Sequence, residues 1–274
     1  MLCNDNRVID RAGGVVGLTS TFTRGAETMI DVAGPPGQTA VGVVASFDFT
    51  RDRELWRWAP EGVSLYLART DPVSMHDSLD MVSGLNDPAL LARPTREVTR
   101  EPIGAQVVLY SCTACSFVGG LERERALRAA MRDAGAPHAL TTSGALLNAL
   151  QALDARRIAI VHPYIDTIGK RLSAFLTAAG ITVLTSRGLG LESRVISTVD
   201  YATVAELIAA GDHPDAEALF VSCTALPTYD LIAPLERELG KPIITANQVG
   251  MWAALCTINT SATGPGQRLL NTST

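Results

Sequence analysis

The sequence predicts an α/β fold of parallel strands and covering helices, and three observations carry that prediction. Short runs of Val, Ile and Leu alternate with longer stretches of helical period. Gly, Pro and Asp punctuate the joints between them. A buried strand that breaks off at Ser-Cys-Thr occurs twice, in 107-VVLYSCTACSFVGG-120 and in 218-ALFVSCTALPTYD-230. Repetition of the plan in both halves implies right-handed parallel βαβ units in each.

The 274 residues could form one large domain or two of about 100 to 130 residues each. With 47% hydrophobic and 19% charged residues there is material for a sizeable core. Net charge is −5 and no basic run occurs, so no nucleic-acid partner is expected. No apolar stretch approaches the roughly 20 residues of a membrane span, so no membrane partner is expected either. Residues 1–37 lack the basic start and apolar run of a signal peptide, and the expected address is cytoplasmic. Further copies of the chain remain open as partners.

In chain order, residues 1–37 are rich in Gly and Thr and read as an N-terminal extension, frayed or a surface hairpin. A first buried strand is 40-AVGVVASFDF-49, followed by a helix or loop over 51–62 that Pro60 and Gly62 end. The strand 63-VSLYLART-70 places Val63, Leu65 and Leu67 on one face. From 71 to 100 the pattern is helical, with Met75, Leu79, Met81 and Val82 on one stripe, a break at Asp87-Pro88 and a division at Pro94. Strand 105–111 leads into the first cysteine turn. Helix 121–135 then places Leu121, Leu127 and Met131 at core spacing and stops at Gly135. A short strand over 137–142 precedes a helix capped by Ser143.

The second half runs strand 156–164, helix 166–180 with Asp166 as cap and Gly180 as stop, strand 181–188, and helix 200–211. Strand 217–223 carries the second cysteine. Helix 230–240, strand 241–247 and a closing helix 248–259 follow, and 260–274 has the composition of a disordered tail. The resulting plan is a first lobe of residues 38–148 plus 247–259 and a second of 149–246.

A thiolate is a strong nucleophile and a thiol a competent acid near neutral pH. Cys112 and Cys223 stand at equivalent strand-to-helix joints, where backbone N–H groups could lower a thiol pKa or bind a carboxylate. Thr113 and Thr224, one residue on, could add hydroxyl donors. Either cysteine alone would more often be structural, because free cysteine is among the most buried residue types. Five cysteines, an odd number, argue against a disulfide framework and leave reduced thiols available. Cys112 and Cys115 also form a C-x-x-C, the spacing of redox and zinc sites, but His76, His138, His162 and His213 are scattered. Cys3 and Cys256 have no motif and read as inert. Metal: none is expected.

The two cysteine turns, with 141-TTSGALLNALQALDARRIAIVHPYIDTIGKRLSAFL-176 and 235-LERELGKPIITANQVGMWAAL-255, resemble the Asp/Glu racemase superfamily, in its maleate cis–trans isomerase and arylmalonate decarboxylase branch. The likeness covers about residues 40–256. It implies two Rossmann-like lobes with parallel sheets related by a pseudo-twofold axis, an active site in the cleft between them, and no metal or organic cofactor. It also implies Cys112 as nucleophile and Cys223 as acid/base partner. Thr113, Tyr164 and the backbone of Ala114, Thr224 and Ala225 would bind the carboxylate. The decarboxylases of this branch have glycine at the first cysteine position, so Cys112 points to the isomerases.

One departure concerns the first turn. Maleate isomerases carry a Pro-Ser-Ser-Asn-Thr type segment there, whereas this chain reads 45-ASFDFTRDRE-54, with Phe49 near the Asn position. Asp48 would repel a dicarboxylate, and Arg51 or Arg53 could compensate. The resemblance implies a cofactor-independent, maleate isomerase-like reaction on a small carboxylic acid, its substrate partner, carried out by the pair of cysteines. Alternatives are a two-base amino acid or hydantoin racemase, an arylmalonate-type decarboxylase, a non-catalytic small-acid binder, and a thiol-disulfide protein using Cys112 and Cys115.

Overall fold

The computed structural model describes residues 19–23, 29–33 and 38–272. In the first unit, residues 1–38, strand β1 (Thr19–Thr23) pairs antiparallel with β2 (Met29–Ala33). Cys3 lies outside the described residues.

The second unit, residues 39–274, holds two four-stranded parallel sheets. The first lobe runs β3 (Thr39–Ala45), α1 (Asp52–Trp56), β4 (Val63–Arg69), α2 (Ser78–Gly84), a 3-10 turn (Pro88–Leu91) and α3 (Ala92–Thr99). It continues through β5 (Val107–Ser111), α4 (Thr113–Phe117), α5 (Gly120–Asp133), β6 (Ala139–Thr141) and α6 (Thr142–Ala152). The second lobe runs β7 (Arg157–Tyr164), α7 (Asp166–Ala178), β8 (Thr182–Leu191), α8 (Ser193–Ile196), α9 (Tyr201–Gly211), β9 (Ala218–Val221), α10 (Tyr229–Leu239) and β10 (Ile243–Thr245). Helix α11 (Ala246–Thr257) then packs on α6 and β5 of the first lobe.

Strand order is β4-β3-β5-β6 in one sheet and β8-β7-β9-β10 in the other, so each lobe repeats the same topology. The sheets are parallel because every crossover carries a helix, and helices cover both faces. This explains the near-continuous apolar runs. On β3, Val41 and Val43 join one core cluster with Trp58, Met251 and Leu255, while the alternate residues Ala40 and Val44 join another with Val108 and Leu127. That second cluster continues through Ile160, Leu172 and Phe220 of the other lobe.

In an open α/β sheet, ligands collect at the C-terminal strand ends where the chain order reverses. Here that point lies between β3 and β5, and again between β7 and β9. The C-terminal ends of those four strands and the segments leaving them carry Ser46 and Asp48, Cys112, Tyr164, and Cys223.

The structure corrects several local expectations. Pro94 does not divide a helix: it sits in the first turn of α3, where a missing N–H costs nothing, and the break falls at the 3-10 turn before it. Met75 precedes α2 and is exposed, so it leaves the expected stripe, and Leu67 is likewise exposed. The cap of α6 is Thr141, whose side chain accepts from Gly144 N at 2.9 Å, and not Ser143. Asp166 lies inside the first turn of α7, pairing with Lys170, and Ile165 precedes it. Gly135 and Gly180 do end their helices, at φ 105° and 82°.

The described part of the C-terminal segment is packed and ordered, against expectation. Leu269 is fully buried, and Trp58 Nε1 and Gln248 Nε2 both donate to Gln267 Oε1, at 2.9 and 2.8 Å. A single buried leucine and one satisfied amide anchor a stretch whose composition is otherwise polar.

Candidate active site

Residues from the ends of all four switch-point strands close on one cavity of about 50 Å³. That size suits a molecule of a few carbons, well below a drug-sized site of roughly 300 Å³. Cys112, Thr113, Ala114, Tyr164, Cys223, Thr224 and Ala225, the candidate catalytic and carboxylate-binding residues, line it. A wider depression of about 550 Å³ beside α6 and α11 shares no lining residue with it.

The first turn is held from below. Cys112 precedes α4 with extended backbone. The Ser116 hydroxyl donates to Cys112 O and Thr113 O at 2.8 and 2.9 Å and meets Ser143 Oγ at 2.7 Å. Asn86 Nδ2 donates to Cys115 O at 2.5 Å. This network is buried and polar, so it fixes the turn rather than cushioning it. Asn86, Ser116 and Ser143 in this network were not legible as site residues. Ser143, misread as a cap, is part of it.

Cys112 is covalently joined to Cys115, with Cα atoms 5.4 Å apart. This corrects the expectation that Cys112 is available as a reduced thiol. An odd number of cysteines bears on a framework that staples a small core; a bridge over one helical turn needs only i,i+3 proximity. Among the described residues, Cys223 and Cys256 are in no disulfide.

The second turn places Cys223 at φ 98°, a left-handed conformation that L residues rarely adopt. Burial pushes its thiol up to about 11, against opposing effects from the Ala225 N–H and the Tyr164 hydroxyl. Cys223 is therefore protonated at neutral pH. Tyr164 OH meets Ser222 Oγ at 3.0 Å, and burial raises its pKa as well, so it too is a neutral donor. Thr113 Oγ1 lies near enough to the phenol to act on it, yet makes no hydrogen bond of good geometry. A buried hydroxyl at a cavity wall can donate to a ligand that enters. Ser222 was missed, although it stands inside the repeated Ser-Cys-Thr.

The lobes are tied across the site. Glu54, leaving β3, accepts from Thr228 N and Tyr229 N at 2.6 Å each and from Asn247 Nδ2 at 2.7 Å; Asn247 Nδ2 also donates to Thr224 O at 3.1 Å. Ser78 Oγ meets Glu192 Oε2 at 2.5 Å and accepts from Ser193 N at 2.7 Å. Arg51 does not reach into the cavity as expected: its guanidinium donates to Ala225 O and Ser197 O at 3.0 and 2.9 Å. Arg53 is exposed and does not line it.

No group of three or more metal-binding side chains occurs among the described residues, and no described helix is long and apolar enough to cross a membrane.

Residues 93–270 match the family model described as arylmalonate decarboxylase. The chain is 37% identical over 155 residues to the arylmalonate decarboxylase of Bordetella bronchiseptica, covering 56% of this chain and 65% of that one. It is 30% identical over 168 residues to a maleate isomerase of Nocardia farcinica, covering 59% and 67%. The matched stretch thus spans about two thirds of these relatives. Among solved structures, arylmalonate decarboxylase superposes with TM-score 0.71 at 28% identity, over 85% of this chain and 100% of that one. A Nocardia farcinica maleate cis–trans isomerase mutant with a covalently bound succinylcysteine intermediate superposes at 0.75 and 24% identity, over 87% and 100%. With the same fold and with two cysteine turns on one cavity, the chain belongs to the arylmalonate decarboxylase family, among relatives that include the maleate isomerases.

Proposed function

We propose that this protein is a cofactor-independent cis–trans isomerase of a small unsaturated carboxylic acid, working through Cys112 and Cys223. The observation that carries the reading is the convergence of both Ser-Cys-Thr turns on one small cavity. Family membership supports it, as does the fold shared with the isomerase that holds succinylcysteine.

In the reduced enzyme, the Cys112 thiolate adds to the alkene carbon β to the carboxylate, forming a C–S bond. The π pair moves through the α carbon into the carboxylate, giving an enediolate. Thr113, Tyr164 and the backbone N–H groups of Ala114, Thr224 and Ala225 donate to the developing charge, where donors aimed in advance contribute most. The former double bond, now single, rotates. Collapse of the enediolate expels the sulfur and restores the alkene in the other geometry. Cys223, neutral at its raised pKa, lends a proton to the α carbon or the enediolate oxygen and takes it back.

The test is proton NMR of maleate incubated with reduced protein in D2O. Fumarate should appear with wild type and fall at least about 100-fold with Cys112→Ala and with Cys223→Ala, the scale of losing an acid–base or nucleophilic group. Near-normal rates in both variants would eliminate the mechanism. Exchange of deuterium into Cα of an amino acid without isomerisation would favour two-base racemisation, which the matched placement of the two sulfurs also allows.

A further inference from the structure

Among the described residues that line the cavity, Asp48 is the only one with a formal charge, and the only exposed one. Its place is built. Phe49 N donates to Ser46 O at 3.1 Å, closing the turn that carries it; Arg69 Nη1 donates to Phe49 O at 2.6 Å, and Thr70 Oγ1 accepts from Phe47 N at 3.2 Å. The end of β4 thus clamps the segment leaving β3. The carboxylate itself takes part in no ion pair among the described residues. Its charge is felt inside, since it opposes ionisation of both Cys223 and Tyr110.

The cavity therefore carries two unlike sets of groups. Thr113, Tyr164 and Cys223 present neutral donors, which suit a carboxylate. Asp48 presents an unpaired acceptor of negative charge. No lysine, arginine or histidine among the described lining residues offsets it. In a cavity of about 50 Å³ a four-carbon dicarboxylate brings a carboxylate close to Asp48, and like charges repel.

We propose that Asp48 selects the substrate: an unsaturated acid about the size of maleate, with one carboxylate toward Thr113 and Tyr164 and an ammonium group toward Asp48. Such an acid keeps the carbon that Cys112 attacks β to its carboxylate, so the chemistry is unchanged. The reaction depends on the isomerase reading; the binding preference does not.

The experiment compares wild type with Asp48→Asn, both reduced, on two matched pairs. Saturated 4-aminobutanoate and succinate report binding by calorimetry; cis-4-aminocrotonate and maleate report turnover by NMR. Wild type should bind 4-aminobutanoate at least tenfold more tightly than succinate and show the same order in kcat/KM. Asp48→Asn should narrow or reverse both ratios by at least tenfold. Equal binding of the saturated pair by wild type, or a ratio unmoved in Asp48→Asn, would overturn the proposal. Selective binding of 4-aminobutanoate with turnover of neither alkene would uphold the recognition and reject the isomerase.

Discussion

Cys112 is bonded to Cys115, and both residues lie in the wall of the cavity that Cys223 enters from the other lobe. A sulfur held in that bridge has no thiolate to offer. Protein prepared without reductant should be inactive and gain at least about tenfold in rate on treatment with a dithiol, which is oxidised as the bridge opens to two thiols. Titratable thiols should rise by two over the same interval. Cys115→Ser, unable to close the bridge, should be active without reductant. Equal rates before and after reduction, with the bridge demonstrably closed beforehand, would remove Cys112 from the mechanism.

Cys223 holds φ 98° in the turn that also supplies Ala225 and Leu226 N–H groups. A non-glycine residue held there costs on the order of 1 kcal/mol or more, which surrounding contacts must outweigh. Glycine relieves that cost and alanine does not. Cys223→Gly should thus be about 1 kcal/mol more stable than Cys223→Ala in urea denaturation, while both lose activity. A glycine variant no more stable than the alanine variant would show that the conformation is not under strain.

How much of this was readable beforehand divides by distance along the chain. The buried runs of β3, β5, β7 and β9 announced parallel strands because both faces are covered, and the two cysteine turns marked the strand ends at which such sheets bind ligands. Tyr164 was found only through the family likeness; nothing in its local pattern separates it from a packing tyrosine. The interlobe ties were invisible. Glu54 looks like any glutamate on a short helix, and its partners Thr228 and Asn247 stand 174 and 193 residues away. The C-x-x-C was visible and its bridge was not, since spacing permits a bond without requiring one.

Glu54 is buried, and its carboxylate accepts from two backbone N–H groups at the start of α10 and from Asn247, which also holds Thr224 O. Replacing one oxygen by an amide NH2 sets donor against donor. Glu54→Gln should lose about 2 kcal/mol of stability, the cost of leaving buried polar groups unmatched. It should also lower kcat at temperatures where the variant remains folded, because the Thr224 carbonyl and the Cys223 turn lose their tether. Lost stability with unchanged kcat would confine Glu54 to holding the lobes together.

His162 is buried on β7 between Gly169 of α7 and Gly188 of β8, so closely that a Cβ at either glycine would meet the imidazole. Burial lowers its pKa to about 4, against the pull of Asp166. In the unfolded chain a histidine titrates near about 6.5. Between those values the unfolded chain binds more protons than the native protein, so stability is present above about pH 6.5 and is lost as pH falls toward about 4. The loss should be on the order of 3 kcal/mol. Carboxylates titrate over the same range, so the measurement is a difference: urea midpoints of wild type and His162→Gln at about pH 7 and about pH 4. The variant should lose less stability than wild type on acidification. Parallel losses in the two proteins would mean that His162 takes up its proton without unfolding the wall around it.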